Sequence, residues 1–354
     1  MKKVLLLFLA FFTASFAKAQ TDVMKMETLR SKDGTLTMNV INYGARIQSL
    51  KYKGTDVVLG FYSLADYASV KQNFGAVVGR YIGRILGGKL NIDGQHYQLQ
   101  TGSNGDCSHG GVPSFSQRYW TIVEKTDSSM TLRYVSPDGE NGFPGELTLD
   151  VTYAISCSSL RIDYEASTTK PTVLNPSNHS FFNLSGNLGG DVLDEELTIY
   201  SDSIALYDAN KRVTGVMGNV DGTPFDFRSG RRIGERINAE DPQLLVTNGY
   251  DHCYQLSGAV MQNGIRAAAR LYDDSTHIAM TVLTTEPAMQ IYTANGHKGN
   301  ITGKEGKVYP RRNAICFETM HFPDSPNKPQ WPSTLLRPGE TFRSTTVFSF
   351  ESIY

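Results

Sequence analysis

Features on which nucleic-acid-binding and membrane-spanning proteins depend are missing from this chain. Its 34 Lys and Arg residues nearly balance its 35 Asp and Glu residues, leaving a net charge of −1 at pH 7, and no long basic run occurs. Binding to a phosphate backbone requires a basic face, and a membrane helix requires ~20 largely apolar residues in succession. We therefore expect no nucleic-acid partner and no membrane span.

Cysteine is scarce, with 4 residues in a chain of 354, and no two have the C-x-x-C spacing that is common in metal sites. An oxidising compartment would permit disulfides, and several pairings are open. A chain of this length can nevertheless bury enough core to fold without such links. We expect free thiols, or at most one chance bridge, and no metal site at Cys107, Cys157, Cys253 and Cys316.

Helical periodicity is rare, and no repeat of fixed length is visible, which argues against a propeller and a β-helix. Only residues 64–70 and 233–238 have the period of a short helix. No linker rich in Ser, Pro or Gly divides the chain. These absences favour one domain built mainly from strands.

The chain instead has the pattern of β-strands and tight turns. It contains 18 Tyr, 17 Phe and 33 Gly residues, a composition typical of such folds. Apolar and polar residues alternate in several segments, and Asp-Gly or Asn-Gly pairs separate them. The alternating segments are residues 35–41, 147–153, 160–164, 278–283 and 345–350, and the turn pairs begin at residues 33, 93, 138, 141, 221 and 263. We predict an all-β domain of antiparallel strands in two stacked sheets.

The N-terminus has the parts of a secretory signal peptide. A basic start at residues 1–3 precedes an apolar run at residues 4–16, and Ala17-Lys18-Ala19 has the small-x-small form of a cleavage site. The apolar run is shorter than a membrane anchor, and no cysteine follows the cut to carry a lipid. We expect a signal peptide at residues 1–19, a mature domain at residues 20–354, and a periplasmic or secreted protein.

Polar residues suited to ligand binding lie in predicted loops or at strand ends. Arg84 lies in a glycine-rich segment and has the hydrogen-bond donors to hold a ligand oxygen, although a solvated turn would have the same sequence. His109 precedes two glycines, and His179 lies among Asn and Ser residues. An imidazole pKa near ~6.5 suits proton transfer, but either histidine also fits a structural role. Asp251 fits either a turn cap or a carboxylate that binds sugar hydroxyls.

One segment places a carboxylate in the middle of an apolar strand. In residues 314–320, Ala314, Cys316, Glu318 and Met320 share one face because strands have a period of two. An unpaired carboxylate in a core is costly, so Glu318 either forms a structural salt bridge or lines a cavity. A carboxylate in a cleft often has a raised pKa and acts as a base.

Taken together, these segments resemble the aldose 1-epimerase family, in the same order along nearly the whole chain from residue 38. Each motif alone is weak, but their succession is specific. The matching segments are Gly75-Ala76-Val77-Val78-Gly79-Arg80, His109-Gly110-Gly111, residues 136–145, Asn178-His179-Ser180-Phe181-Phe182-Asn183-Leu184, Gly249-Tyr250-Asp251-His252, Gln290-Ile291-Tyr292-Thr293 and Leu336-Arg337-Pro338-Gly339-Glu340.

The resemblance implies a galactose mutarotase-like β-supersandwich with an open cleft, a free aldose as substrate and no cofactor. In such a reaction the C1 hydroxyl loses a proton, the ring oxygen gains one, and the opened sugar closes to the other anomer. The resemblance implies that Glu318 is the general base and His179 the general acid. It also implies that the sugar is held by Arg84, His109, Asp251 and Gln290, with Tyr292 lining the cleft.

The chain departs from the family at Gly83, since the family usually has Asn-Arg-Ile where this chain has Gly83-Arg84-Ile85. A sugar contact, and with it the substrate preference, is therefore in doubt. Glucose, galactose, xylose and arabinose all stay open as substrates, as does the oligomeric state. The rival functions are an epimerase of sugar phosphates, which needs further cationic groups, a non-catalytic sugar-binding protein, and a glycosidase that uses Asp251 and Glu318 as its carboxylate pair.

Overall fold

The structure, a computed structural model, describes residues 23–70, 72–261 and 263–354. The expected signal peptide lies outside these residues, so it stays a prediction, as does the domain boundary at residue 20. Within the described residues, no helix has both the length and the apolar character needed to cross a membrane.

Short strands dominate the first half of the described chain, where only one α-helix is present. The elements in order are β1 (Met26–Arg30), β2 (Leu36–Ile41), β3 (Arg46–Tyr52), β4 (Thr55–Asp56), α1 (Leu64–Ser69), β5 (Ala76–Val78), β6 (Arg84–Ile85), β7 (Lys89–Ile92), β8 (Gln95–Gln98), β9 (Cys107–Ser108), β10 (Thr121–Lys125), β11 (Ser129–Ser136), β12 (Leu147–Ser156), β13 (Ser159–Thr168), β14 (Thr172–Val173) and β15 (Ser177–His179).

The second half of the described chain has the same character. Its elements are β16 (Glu196–Ile199), β17 (Ser203–Tyr207), β18 (Val213–Asn219), β19 (Arg231–Arg232), α2 (Pro242–Thr247), β20 (Asp251–Gln255), β21 (Arg266–Asp273), β22 (Ile278–Thr284), β23 (Ala288–Tyr292), β24 (Cys316–Met320), β25 (Leu335–Leu336) and β26 (Phe342–Ser352).

The largest sheet is antiparallel and has nine strands in the order β10-β11-β12-β13-β26-β22-β21-β16-β19. Strand β12 shows why its sequence forms such a sheet. Leu147, Leu149, Val151 and Tyr153 are fully buried, whereas the residues between them, such as Asp150, are partly exposed. Alternation of this kind buries one face of an antiparallel sheet and leaves the other in water.

The four-stranded sheet β1-β2-β3-β4 packs against this buried face. Met38 and Val40 of β2 belong to the same hydrophobic cluster as Leu149 and Val151 of β12. Two antiparallel sheets that enclose one apolar core form a β-sandwich. The predicted fold class, a large antiparallel β-sandwich, is confirmed.

A further sheet of five strands, in the order β18-β17-β20-β23-β24, positions the candidate site. Its two faces have different roles. Ile291 of β23 and Phe317 of β24 join the main hydrophobic cluster. Their neighbours Gln290 and Glu318 point to the opposite face because the side-chain period of a strand is two.

Most of the local predictions are confirmed by the structure. All the alternating segments form strands, residues 64–70 contain α1, and Asp93-Gly94 is the two-residue turn between β7 and β8. All four cysteines are free, and Cys157 is the exposed one. The prediction for residues 233–238 was too long, since only the 3-10 turn Ile233–Glu235 forms there.

Candidate active site

The register of three neighbouring strands places several polar side chains on one face of the five-stranded sheet. Gln290 lies directly opposite Glu318, and Tyr292 lies opposite both Asp251 and Cys316. Directly opposed residues in an antiparallel pair point to the same side. The strands β20, β23 and β24 therefore bring together residues that are far apart in the sequence.

His179 reaches this face from β15, which pairs with β5 and is held against β24 where the Ser177 hydroxyl donates to the Thr319 carbonyl at 2.9 Å. Its Nε2 lies 3.3 Å from Glu318 Oε1, and its Nδ1 lies 3.5 Å from Cys316 Sγ. The His179 and Glu318 side chains are both almost fully buried. An imidazole and a carboxyl group thus meet at the floor of the site.

Arg84 and His109 enter from a small two-stranded ladder of β6 and β9, in which Arg84 pairs with Ser108. The backbone N–H of His109 donates to the Gly83 carbonyl at 2.8 Å, and the His109 ring centroid is 5.8 Å from that of His179. The next residue, Gly110, has a φ of +84°, and a Cβ there would come within 2.1 Å of the Gly79 carbonyl oxygen. Only glycine allows the backbone this approach.

Asp251 and Gln290 are fixed to one another on the sheet. The Gln290 amide donates to the Asp251 carboxylate at 2.7 Å, and the Tyr207 hydroxyl donates to Gln290 Oε1 at 3.4 Å. The Tyr292 hydroxyl is held in turn, because it accepts the N–H of Gly296 at 2.9 Å. These bonds hold the side chains of Asp251, Gln290 and Tyr292 in place.

Burial shifts the pKa values of the paired groups in opposite directions. Desolvation, with a smaller contribution from the nearby Asp251, raises the pKa of Glu318 from 4.5 to about 8. Desolvation, with the neighbouring His109, lowers the pKa of His179 from 6.5 to about 3. Burial disfavours the charged form of both groups. At any pH between these two pKa values, the pair therefore holds a single proton.

All the residues that the sequence singled out line one cleft. Its volume is about 390 Å³, which lies within the usual range of ligand pockets, roughly 300–1,000 Å³. The cleft brings together Arg84, His109, His179, Asp251, Gln290, Tyr292 and Glu318.

Gly83 also lines the cleft, where the family usually has asparagine. Its φ is +78°, and a Cβ at this position would lie 3.3 Å from Met320 Cε and 3.6 Å from Pro323 Cβ. Asparagine tolerates a positive φ better than most residues, so the backbone is compatible with either residue. With glycine here Arg84 lacks a neighbouring side-chain amide, and an asparagine would require Met320 to shift by a few tenths of an ångström.

Reasoning from the sequence missed other residues of the cleft, among them Tyr207, Lys211 and His297. The carbonyl of Lys211 accepts a hydrogen bond from Arg84 Nη1 at 2.9 Å, so a second cationic residue lies beside the arginine. His297 carried a signal, because it follows an Asn295-Gly296 turn shortly after Tyr292. Nothing local marked Tyr207 at the end of β17 or Lys211 in the loop between β17 and β18, which reach the cleft because β17 pairs with the distant strand β20.

Comparisons with known proteins define the class of this protein. The family model described as aldose 1-epimerase matches residues 27–349. The chain is 36% identical to galactose mutarotase of Rattus norvegicus over 330 residues, which cover 92% of this chain and 94% of the relative. It is 32% identical to aldose 1-epimerase of Escherichia coli over 334 residues, covering 92% and 95%. Relatives of this kind are carbohydrate isomerases, and this chain is an enzyme of that class.

Solved structures agree with this classification. A galactose 1-epimerase from Lactobacillus acidophilus superimposes with a TM-score of 0.81 at 27% identity, over 94% of this chain and 100% of the other. An aldose epimerase homologue from C. elegans shares the fold, with a TM-score of 0.85 at 24% identity and the same coverage. The chain belongs to the aldose 1-epimerase family, and its activity is mutarotation, the interconversion of the anomers of a free sugar.

Proposed function

We propose that Glu318 is the general base and His179 the general acid of this mutarotation. Ring opening requires removal of the proton on the C1 hydroxyl and addition of a proton to the ring oxygen. Those two oxygens are bonded to the same carbon, so the base and the acid must lie close together. The contact of 3.3 Å between His179 Nε2 and Glu318 Oε1 in the cleft supports this assignment.

The reaction requires Glu318 and His179 to hold one proton between them, and this is the number of protons that the pair holds. The reactive form, a carboxylate beside an imidazolium, has the same number of protons as the neutral carboxyl and imidazole that burial favours. Glu318 takes the proton from the C1 hydroxyl while His179 gives one to the ring oxygen. After rotation about the C1–C2 bond both transfers run in reverse, and the opposite anomer closes.

Hydrogen-bonding groups around the pair are suited to an aldose with several hydroxyls. We propose that Arg84 and His109 hold it on one side, while Asp251 and Gln290 hold it on the other and Tyr292 forms part of the wall. Arg84 offers several fixed donors, and the Asp251 carboxylate accepts hydrogen bonds from hydroxyls. The preferred aldose among glucose, galactose, xylose and arabinose depends on these contacts and on the absence of a side-chain amide at Gly83.

Polarimetry on freshly dissolved α-D-glucose and α-D-galactose tests the assignment. We expect Glu318→Gln and His179→Asn each to lower kcat by about 10²–10⁴-fold, since each removes one proton-transfer group. Thermal unfolding would verify that the variants fold. Wild-type turnover in either folded variant would refute the assigned role.

A matched control is available at Glu286, a buried carboxylate that lies 2.7 Å from His321 Nδ1 and outside the cleft. Glu286→Gln makes the same change of carboxyl to amide in another contact between a glutamate and a histidine. We expect it to affect stability but not kcat. An equal loss of activity in this variant would mean that the effect of Glu318→Gln is not specific to the cleft.

We also propose that the protein is exported, on the basis of the sequence pattern at residues 1–19. The first residue of the mature protein would then be Gln20. N-terminal sequencing of the protein recovered from cell fractions tests this proposal. Recovery of the full-length chain from the cytoplasm would contradict it.

A further inference from the structure

We propose that His297 accepts a hydrogen bond from one hydroxyl of the bound aldose through its Nε2, given, as proposed above, that the sugar lies in this cleft. His297 would thereby help to determine which aldoses the enzyme uses. The residue follows β23 and lines the cleft, although the side chain is almost fully buried.

The position of the His297 ring is fixed by stacking. It lies against Phe181, with ring centroids 5.3 Å apart and planes 22° apart. Phe181 also stacks on His179, with ring centroids 4.9 Å apart. Phe181 therefore sets His297 at a constant position relative to the proposed general acid.

The hydrogen-bond network also fixes the tautomer of His297. Its Nδ1 lies 2.7 Å from Oδ1 of Asn313, a fully buried residue. The Asn313 amide nitrogen donates to the Leu188 carbonyl, so the amide oxygen is the atom that faces the ring. A carbonyl oxygen only accepts, so Nδ1 carries the hydrogen.

The other ring nitrogen of His297 is consequently an acceptor. Burial lowers the pKa of His297, so the ring is neutral and Nε2 has a lone pair. This Nε2 has no hydrogen-bond partner within the described part of the chain. A buried acceptor without a partner is unfavourable, and a sugar hydroxyl supplies the missing donor.

The histidines of the protein differ in this respect. His252 Nε2 is also buried without a partner, but His252 does not line the cleft. His109 lacks a partner at Nδ1 and is already assigned to sugar binding. His297 is therefore the additional imidazole that combines a fixed tautomer, a vacant acceptor and a place in the cleft wall.

Deoxy sugars and His297→Phe test this contact, because phenylalanine keeps the stack on Phe181 but removes the acceptor. We expect His297→Phe to lower kcat/KM about five- to tenfold, mainly through KM. At one position of the sugar, removing the hydroxyl should lower kcat/KM of the wild type by a similar factor and leave kcat/KM of the variant unchanged. Partial recovery in His297→Gln, which restores an acceptor, would support the assignment.

The matched control is His96→Gln, which changes an exposed histidine of β8 outside the cleft and should alter neither constant. If the wild type and His297→Phe discriminate equally at every hydroxyl, the contact does not exist. Should His297→Phe fail to fold, the ¹⁵N resonance of His297 Nε2 in the wild type gives the answer. It should shift on addition of galactose, and a resonance that stays unchanged at saturating sugar would overturn the proposal.

The same titration of Glu318→Gln separates this contact from the proposed chemistry. Binding of galactose to that variant should still shift the Nε2 resonance, because the contact does not depend on proton transfer. An active Glu318→Gln would refute the proposed base while leaving the His297 measurement valid.

Discussion

Glu318 and His179 are a buried pair whose pKa values are displaced in opposite directions, and this determines how activity depends on pH. The pair keeps its one proton from about pH 3, the lowered pKa of His179, to about pH 8, the raised pKa of Glu318. Above that range the proton is lost, so no acid remains for the ring oxygen. We expect kcat/KM, corrected for the uncatalysed rate, to be level from pH 5 to 7 and to fall above about pH 8. An activity that instead falls as the pH rises above about 6.5 would indicate that His179 acts as an isolated imidazolium with its ordinary pKa.

The raised pKa of Glu318 also predicts a gain in stability when the carboxyl is replaced. A carboxyl whose pKa is 4.5 when unfolded and about 8 when folded binds its proton more tightly in the native state. Its contribution to stability is complete below pH 4.5 and is lost as the pH rises through 8. Glu318→Gln should therefore raise Tm above the wild-type value by about 2 °C or more at pH 8.5, and by less at pH 5. Equal differences in Tm at both pH values would contradict this linkage.

Single residues of the site were predictable from the sequence only through their neighbours. Glu318 was visible because a carboxylate interrupts an apolar strand, and His179 because polar residues surround it. The partners that fix other residues of the cleft were not visible. Asn313 orients His297 and Tyr207 bonds Gln290 through hydrogen bonds between distant segments, which no local pattern encodes.

Among the elements, the small β6–β9 ladder matters most for the site, because it presents Arg84 and His109. Its loop depends on Gly110, where a Cβ would come within 2.1 Å of the Gly79 carbonyl oxygen. We expect Gly110→Ala to displace His109 and to lower kcat/KM by at least about tenfold. The control is Gly94→Ala, which also has a positive φ but has no atom within 4 Å of the added Cβ. Similar kinetic losses in both variants would show that backbone strain alone, not the clash, is responsible.

Long strands were easier to predict than short ones. β12, β13 and β26 have enough residues for alternation to stand out, whereas β6 and β9 have two residues each. Helix α2 was missed although the side chain of Asp241 caps it by accepting the N–H of Gln243 and Pro242 begins it, a known start signal. The five-stranded sheet that carries the site was not anticipated either, because pairing between β20, β23 and β24 depends on long-range contacts.

At the scale of the whole molecule, stability comes from the shared core of the sheets and not from cross-links. All four cysteines are free, and Cys157 alone is exposed. We expect a thiol reagent to modify one cysteine in the native protein and all four after denaturation. Cys157→Ser should abolish modification of the folded protein by the reagent, and a reducing agent should leave Tm unchanged. Rapid modification of a second thiol in the folded protein would contradict the buried positions of the others.

The direct contact between His179 and Glu318 has a consequence for the relation of the enzyme to its solvent. In the proposed cycle, ring opening moves one proton onto the carboxylate and one off the imidazolium, and ring closure restores both. Each turnover thus returns the site to its starting charge without importing or exporting a proton. In this cycle protons move only between the sugar and the two side chains. Catalysis of this kind has no need of a proton channel, a relay of water molecules or a buffer in the medium.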